Sequence, residues 1–298
     1  MNVTEKITHA AERKAFETML DTIIKKSQTQ DVGELFESLV NMVQKIHGSV
    51  WSPETFDTLR RISEDPNGKW AHYVQRLLRE CDPYILKTFL TNAAYEGGFR
   101  GYQQAQKNAE KYGCNIPWLI LMDPTSACNM HCTGCWAAEY GHKQSLTYDE
   151  MNRVLTEAKE LGTHACLFTG GEPLIRKKDI IRLCEEHRDM AFHAFTNGTL
   201  IDEDFCQEML RVKNFVPAIS LEGFEKANDG RRGEGIFQKV QAAMKLLKDH
   251  KLPFGISTCY TSANYDDISS EAYFDMIVEA GALFVWFFHY MPVGNDAV

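Results

Sequence analysis

The sequence predicts an α/β chain: a partial (β/α)6 barrel over residues 115–298, preceded by an all-helical N-terminal domain over residues 1–114. Three observations carry this. Apolar residues recur at helical spacing up to about residue 114, and from residue 116 short apolar runs alternate with amphipathic stretches. Each apolar run is also followed by glycine or polar turn chemistry. Alternating βα units build a parallel sheet whose sites gather at the C-terminal ends of the strands.

The helical part rests on Phe16, Leu20, Ile23 and Ile24, on Leu35, Phe36, Leu39, Val40 and Val43, and on Val74, Leu77 and Leu78. Ser52-Pro53-Glu54 opens a helix with a cap and a proline in the first turn, and Asp82-Pro83 opens another before Leu86, Phe89 and Leu90. Gly97-Gly98 and Tyr112-Gly113 then punctuate the chain. The six strands are expected at Trp118–Met122, Ala165–Phe168, Ala191–Phe195, Val216–Leu221, Phe254–Tyr260 and Phe284–Tyr290, with helices such as Tyr148–Leu161 and Phe237–Lys248 between them.

The turns after the strands fall on one rim. They are a cysteine-rich loop, then Thr169-Gly170-Gly171-Glu172-Pro173, Thr196-Asn197-Gly198, Glu222-Gly223, residues 261–264, and Met291-Pro292-Val293-Gly294. Glu172 stands out, because a charge beside two bare glycines can meet an ammonium while the backbone lets a ligand come close.

Composition excludes several classes. The chain has 298 residues, 44% of them hydrophobic, enough to fill a sizeable core. With 41 acidic and 32 basic residues the net charge is −9, so attraction to nucleic acid phosphates is not expected. No run of about eighteen apolar residues suggests a membrane span, and the charged start lacks the apolar segment of a signal peptide, so a cytoplasmic location is expected. Nine scattered cysteines fit free thiols in a reducing compartment better than a disulfide framework.

The most specific feature is the run Cys128-Asn129-Met130-His131-Cys132-Thr133-Gly134-Cys135. Three thiolates at CxxxCxxC spacing can converge on one metal centre, and three cysteines on a four-iron cube leave one iron open. A structural zinc module would add His131 or His142 and predicts a colourless protein. An electron carrier would close its cluster with a fourth cysteine.

With Gly170-Gly171-Glu172-Pro173 after the second strand, this loop resembles those of the radical S-adenosylmethionine enzymes, over about residues 116–294. The resemblance implies a 4Fe-4S cluster on Cys128, Cys132 and Cys135, with S-adenosylmethionine chelating the open iron through its amino and carboxylate groups. Reduction then releases methionine and a 5′-deoxyadenosyl radical that abstracts hydrogen from substrate, the electron coming from a donor such as flavodoxin or ferredoxin. It further implies that Gly170, Gly171 and Glu172 hold the methionine amino group, with Pro173 shaping the turn. Ser220, in Ile219-Ser220-Leu221-Glu222-Gly223, should reach the methionine carboxylate or ribose. Arg232, in Asp229-Gly230-Arg231-Arg232-Gly233, should pair with the same carboxylate through its guanidinium fork. Asn264 and the backbone around Tyr290 and Met291 are further candidates for adenine contacts.

The chain departs from the family pattern in two places. Gly134 stands where the family usually has an aromatic residue against adenine, with Trp136 coming later, and the last cysteine is Cys259, so no auxiliary cluster can be assembled. Cys166, Cys184, Cys206 and Cys259 read as buried small apolar residues. His289 is weighed as an acid or base or a rim residue, Tyr140 and Tyr260 as pocket or packing residues, and Lys177-Lys178 as a solvated helix face. The N-terminal helices are expected to cap the barrel mouth. The substrate is expected to be a peptide or protein, with a small metabolite or lipid precursor as the alternative.

Overall fold

The computed structural model describes residues 3–27, 37, 40–41, 44, 53–65, 67–135, 137, 141 and 143–292. Leu35, Phe36, Leu39, Val43, Ser52, Trp136, Tyr140, His142, Val293 and Gly294 lie outside the described residues.

Six strands, β1 (Ile120–Met122), β2 (Ala165–Phe168), β3 (Ala191–Thr196), β4 (Phe215–Ser220), β5 (Gly255–Tyr260) and β6 (Val285–His289), form one sheet in the order β1-β2-β3-β4-β5-β6. Every pairing is parallel. Sequence order equals spatial order because each strand is returned to the same edge by a helical crossover, the arrangement of a half-barrel.

The helices are numbered in chain order. The helical part holds α1 (Val3–Lys26), α2 (Pro53–Ser63), α3 (Lys69–Glu80), α4 (Pro83–Leu90), a π-helical stretch (Thr91–Gly101) and α5 (Tyr102–Tyr112). The barrel part holds α6 (Tyr148–Leu161), α7 (Lys177–Glu186), α8 (Glu203–Val212), α9 (Glu225–Arg232), α10 (Ile236–Asp249), α11 (Tyr265–Ile268) and α12 (Glu271–Glu279). Local chemistry sets their ends. Thr147 and Glu150 close a capping box on α6, and Gly162 stops that helix at φ 107°. Asp82 accepts from the backbone N–H groups of Tyr84 and Ile85 ahead of Pro83.

Alternation along the strands sorts two faces. Cys166, Phe168, Phe192, Phe215, Ile219 and Ile256 turn outward and join Met151, Leu155, Ile180, Val240, Met244 and Leu247 of the helices in one buried core. The residues between them face the concavity. Three pairings separate β3 from β6, about 14 Å along a flat sheet. Nevertheless, the rings of Phe195 and Phe288 lie 5.2 Å apart and those of His193 and Trp286 6.2 Å apart. Only a strongly curved sheet with these side chains on its inner face brings them together.

The helical part has its own smaller cluster around Phe16, Met19, Leu20, Phe56 and Tyr95. Glu96, fully buried, ties α1 to the π-helical stretch through His9 and Arg13. This part packs against the floor of the barrel, not its mouth. Asn92 donates to the carbonyls of Arg188 and Met190 ahead of β3, Asn108 to those of Glu160 and Leu161 ahead of β2, and the Asp82 N–H to Lys251 ahead of β5. All three lie where the chain is about to enter a strand. The expectation of a mouth cap is therefore corrected: the polar groups that can receive these helices are the strand-entry carbonyls, at the end opposite the cysteines. No helix of the described residues is long and apolar enough to cross a membrane.

Candidate functional site

The cysteine loop leaves β1 and is gripped from both sides. Thr125 bridges to Ser145, with their hydroxyls 2.7 Å apart, and the Leu146 N–H donates to the Pro124 carbonyl. From β2, the Gly171 N–H donates to Thr125 at 3.0 Å and the Glu172 N–H to Ala127 at 2.8 Å. These contacts explain the glycine pair. A Cβ on Gly170, at φ 107°, would lie 2.6 Å from the Thr125 carbonyl oxygen, and one on Gly171 would lie 2.2 Å from that of Ala127. The bare backbone therefore lets the loop that carries Cys128 lie directly on the turn. Beyond Cys128, Asn129 accepts from the Asn197 side chain and donates to Thr199, and buried Met130 anchors the loop in the core.

Glu172 faces inward. It is 1% exposed; Oε1 accepts from the Leu174 N–H at 2.9 Å and the Thr196 hydroxyl at 2.7 Å, while Oε2 accepts from the Asn197 N–H at 2.7 Å. Burial pushes its carboxyl pKa up, against these three hydrogen bonds. The carboxylate braces the turns after β2 and β3, and Pro173, also buried, opens the short helix it caps. Asp123, at the end of β1, lines a cavity of about 330 Å³ with Ser126, Gly170 and Gly171.

On the far side of the loop, Glu222 is fully buried. Its Oε1 meets Arg231 Nη1 at 2.6 Å and Arg232 Nη2 at 2.5 Å, and Oε2 accepts from the Cys259 N–H at 2.9 Å. Arg232 is thereby aimed so that Nη1 lies 3.9 Å from Cys132 Sγ. The Arg231 carbonyl accepts from the Thr133 N–H at 2.8 Å, pinning the loop to the end of α9. The structure thus places Arg232 beside the cysteines, with much of its fork already on Glu222. Ser220 sits half-buried at the end of β4. Asn264 is spent locally: Nδ2 donates to the carbonyls of Glu222 and Cys259, and Oδ1 accepts from the Thr261 N–H.

Sequence reasoning missed the Glu222–Arg231–Arg232 cluster as an ion pair. Its signal was an acid at the strand end followed by two arginines closing a short helix. Cys166, Cys184 and Cys206 are buried as expected, but Cys259 is only partly so and lies on the rim beside Glu222. Gly134 has a different partner than its neighbours in sequence suggest. At φ 65° its Cβ would lie 2.4 Å from the Tyr290 hydroxyl, so the tyrosine after β6 packs directly on it. Tyr290 also lies under the Arg231 guanidinium, 5.9 Å from the ring centre. Tyr290, Thr133, Glu222, Arg231 and Asn264 share the lining of a rim cavity of about 570 Å³. Tyr260 and His289 pair at 2.6 Å at the ends of β5 and β6. A cavity of about 980 Å³, lined by His9, Arg100, Lys107 and Lys159 among others, lies at the strand-entry end and has no part in this rim.

The three cysteines are free and partly buried, and burial raises the thiols of Cys128 and Cys132. The donor set suits an iron–sulfur cube: three soft sulfurs on one loop, a cation beside one of them, and a pinned backbone around all three. Among the described residues no three His, Cys, Asp or Glu side chains surround one point as the ligands of a single ion do. Thiolates at separate corners of a cube need not.

Known proteins resemble this chain in sequence and fold. The family model described as the Radical SAM superfamily matches residues 122–271. An AdoMet-dependent heme synthase of Methanosarcina barkeri is 27% identical over 187 residues, covering 61% of this chain and 53% of that protein. A GTP 3′,8-cyclase of Clostridium botulinum is 27% identical over 195 residues, covering 62% of this chain and 60% of that protein. The chain thus spans between half and two thirds of the length of these curated relatives. Among solved structures, Streptococcus suis SuiB bound to S-adenosylmethionine has a TM-score of 0.57 at 20% identity, over 80% of this chain and 55% of that one, which shows a shared fold.

Proposed function

Because the chain belongs to the radical S-adenosylmethionine superfamily, we propose that Cys128, Cys132 and Cys135 hold its 4Fe-4S cluster, and that it cleaves S-adenosylmethionine reductively to abstract hydrogen from a substrate in the barrel. When bound, the cluster and S-adenosylmethionine supply the low-potential electron and the primary carbon radical. The chain's own residues do the rest. Glu222 orients Arg232 so that its positive charge stands beside Cys132, a placement that stabilises a thiolate there. The Gly170-Gly171 backbone, fixed by the inward-turned Glu172, presents main-chain groups rather than a carboxylate to the methionine ammonium. Asn264 and Tyr290 line the rim where the nucleoside would lie, Asn264 shaping its loop and Tyr290 supplying a ring beside Gly134, while Ser220 stands at the end of β4 as the candidate for the methionine carboxylate or ribose.

The observation that carries the reading is the three-cysteine loop clamped between the Gly-Gly turn and the Glu222–Arg232 pair, at the strand ends. In this reading residues 1–114 form a helical unit that closes the floor, residues 115–298 form the catalytic unit, and a small reduced carrier such as flavodoxin or ferredoxin supplies the electron. The substrate is a peptide or protein, or a small metabolite or lipid precursor. Relatives named as heme synthase and GTP cyclase widen that range, while the fold shared with SuiB bound to precursor peptide SuiA keeps a peptide within it. The test is anaerobic reconstitution with iron and sulfide, then dithionite and S-adenosylmethionine. 5′-Deoxyadenosine and methionine are expected from the parent and neither from Cys132→Ala; equal rates would defeat the ligand assignment.

A further inference from the structure

We infer that the concave face of the barrel is built to receive a flat aromatic group of the substrate. The inference rests on the reading that the barrel holds the substrate, and it narrows the substrate's chemistry. Inner-face positions of β3 and β6 carry His193, Phe195, Trp286 and Phe288, and the rings form one connected wall. Phe195 stands edge-on to Trp286 at 5.9 Å and to Phe288 at 5.2 Å, with interplanar angles of 87° and 86°. Trp286 and Phe288 run parallel within 15° at 6.3 Å. Phe284 closes the wall below, 5.6 Å from His193, seated where bare Gly255 leaves room for its ring.

The wall is not sealed. Trp286 and Phe288 keep 44% and 38% of their surface exposed, and Leu121, on the inner face of β1, keeps 59%. Large apolar side chains left open inside a concave site mark a place where apolar surface is to be buried. The wall is also uncharged. Its one titratable member, His193, uses Nδ1 to donate to the Val216 carbonyl at 2.6 Å, and burial holds its pKa down at about 4. An uncharged wall of ring edges and faces gains most from another ring, through offset-stacked and edge-to-face contacts that an aliphatic group of equal area lacks. A conjugated macrocycle and the aromatic side chain of a peptide share this chemistry.

Calorimetric titration of the reconstituted enzyme separates these sources. The probes are coproporphyrin III, the pentapeptide Ala-Ala-Trp-Ala-Ala, and Ala-Ala-Leu-Ala-Ala as a ringless control. One of the two ring-bearing probes is expected to bind, identifying the source, and the leucine peptide to bind at least tenfold more weakly. Phe288→Ala and Trp286→Ala should each weaken the ring-bearing probe by about tenfold, and Phe288→Tyr should restore it. Binding of neither ring-bearing probe, equal binding of the leucine peptide, or affinities indifferent to both alanine variants would overturn the inference. A parent enzyme that forms 5′-deoxyadenosine yet binds neither ring leaves the proposed function standing and removes this inference alone.

Discussion

Replacing Glu222 by glutamine tests how the site is held together. The carboxylate side chain is 1% exposed and faces Arg231 and Arg232, whose side chains are 17% and 12% exposed. Glutamine keeps the shape but leaves two mostly buried guanidiniums without their anion. Its amide must also turn an N–H toward a guanidinium or toward the Cys259 N–H, each already a donor. Removing one partner of a buried ion pair costs roughly 3–5 kcal/mol, against less than about 1 for a surface pair. Taking about 3 kcal/mol, because both arginines keep some solvent, and 2–4 °C per kcal/mol for a chain of this size, the melting temperature should fall by roughly 6–12 °C. Thermal unfolding followed by circular dichroism under argon measures it. The double variant Glu222→Gln/Arg232→Gln should recover part of the loss, since one stranded charge goes with it. A Glu222→Gln protein within 1 °C of the parent would refute the reasoning.

Gly171→Ala places a methyl group 2.2 Å from the Ala127 carbonyl oxygen, a backbone atom that has no rotamer to escape into, so it should displace the cysteine loop and lower the bound iron after reconstitution to below half of the parent's, read by iron analysis. His193 contributes a pH dependence. Its pKa falls from the usual 6.5 to about 4 on folding, so the folded state binds fewer protons. The contribution is fully present above pH 6.5 and is lost as pH falls from 6.5 toward 4, up to about 3 kcal/mol in all. His193→Phe should flatten the acid limb of a urea-midpoint profile, and an unchanged limb would contradict it.

Much of this fold can be read from the sequence, because the barrel strands are short apolar runs bounded by turn residues. Ala165–Phe168 and Tyr148–Leu161 are read to the residue, and β1 is shorter than expected, beginning at Ile120 rather than Trp118. Tyr148–Leu161 was legible because Thr147, Glu150 and Gly162 are local signals. What escapes the sequence is long-range. Nothing near Glu172 tells that Thr196 and Asn197 will take its oxygens, and nothing near Arg232 tells that Glu222 will hold its fork. Gly134 reads as a missing aromatic residue until Tyr290, from the far edge strand of the sheet on the same rim, is seen packed on it. The placement of the helical part is hidden from the sequence for the same reason, since Asn92 and Asn108 reveal their strand-entry partners only in three dimensions.

The central claim is a cube held by three cysteines with one iron left open, and electron paramagnetic resonance of the dithionite-reduced, reconstituted protein tests it most directly. Titration with S-adenosylmethionine should shift the cluster's g-values in the parent, while Cys128→Ala, Cys132→Ala and Cys135→Ala should each lose the signal. A reduced cluster whose spectrum ignores S-adenosylmethionine, or a signal that survives loss of any of the three thiols, would contradict the account.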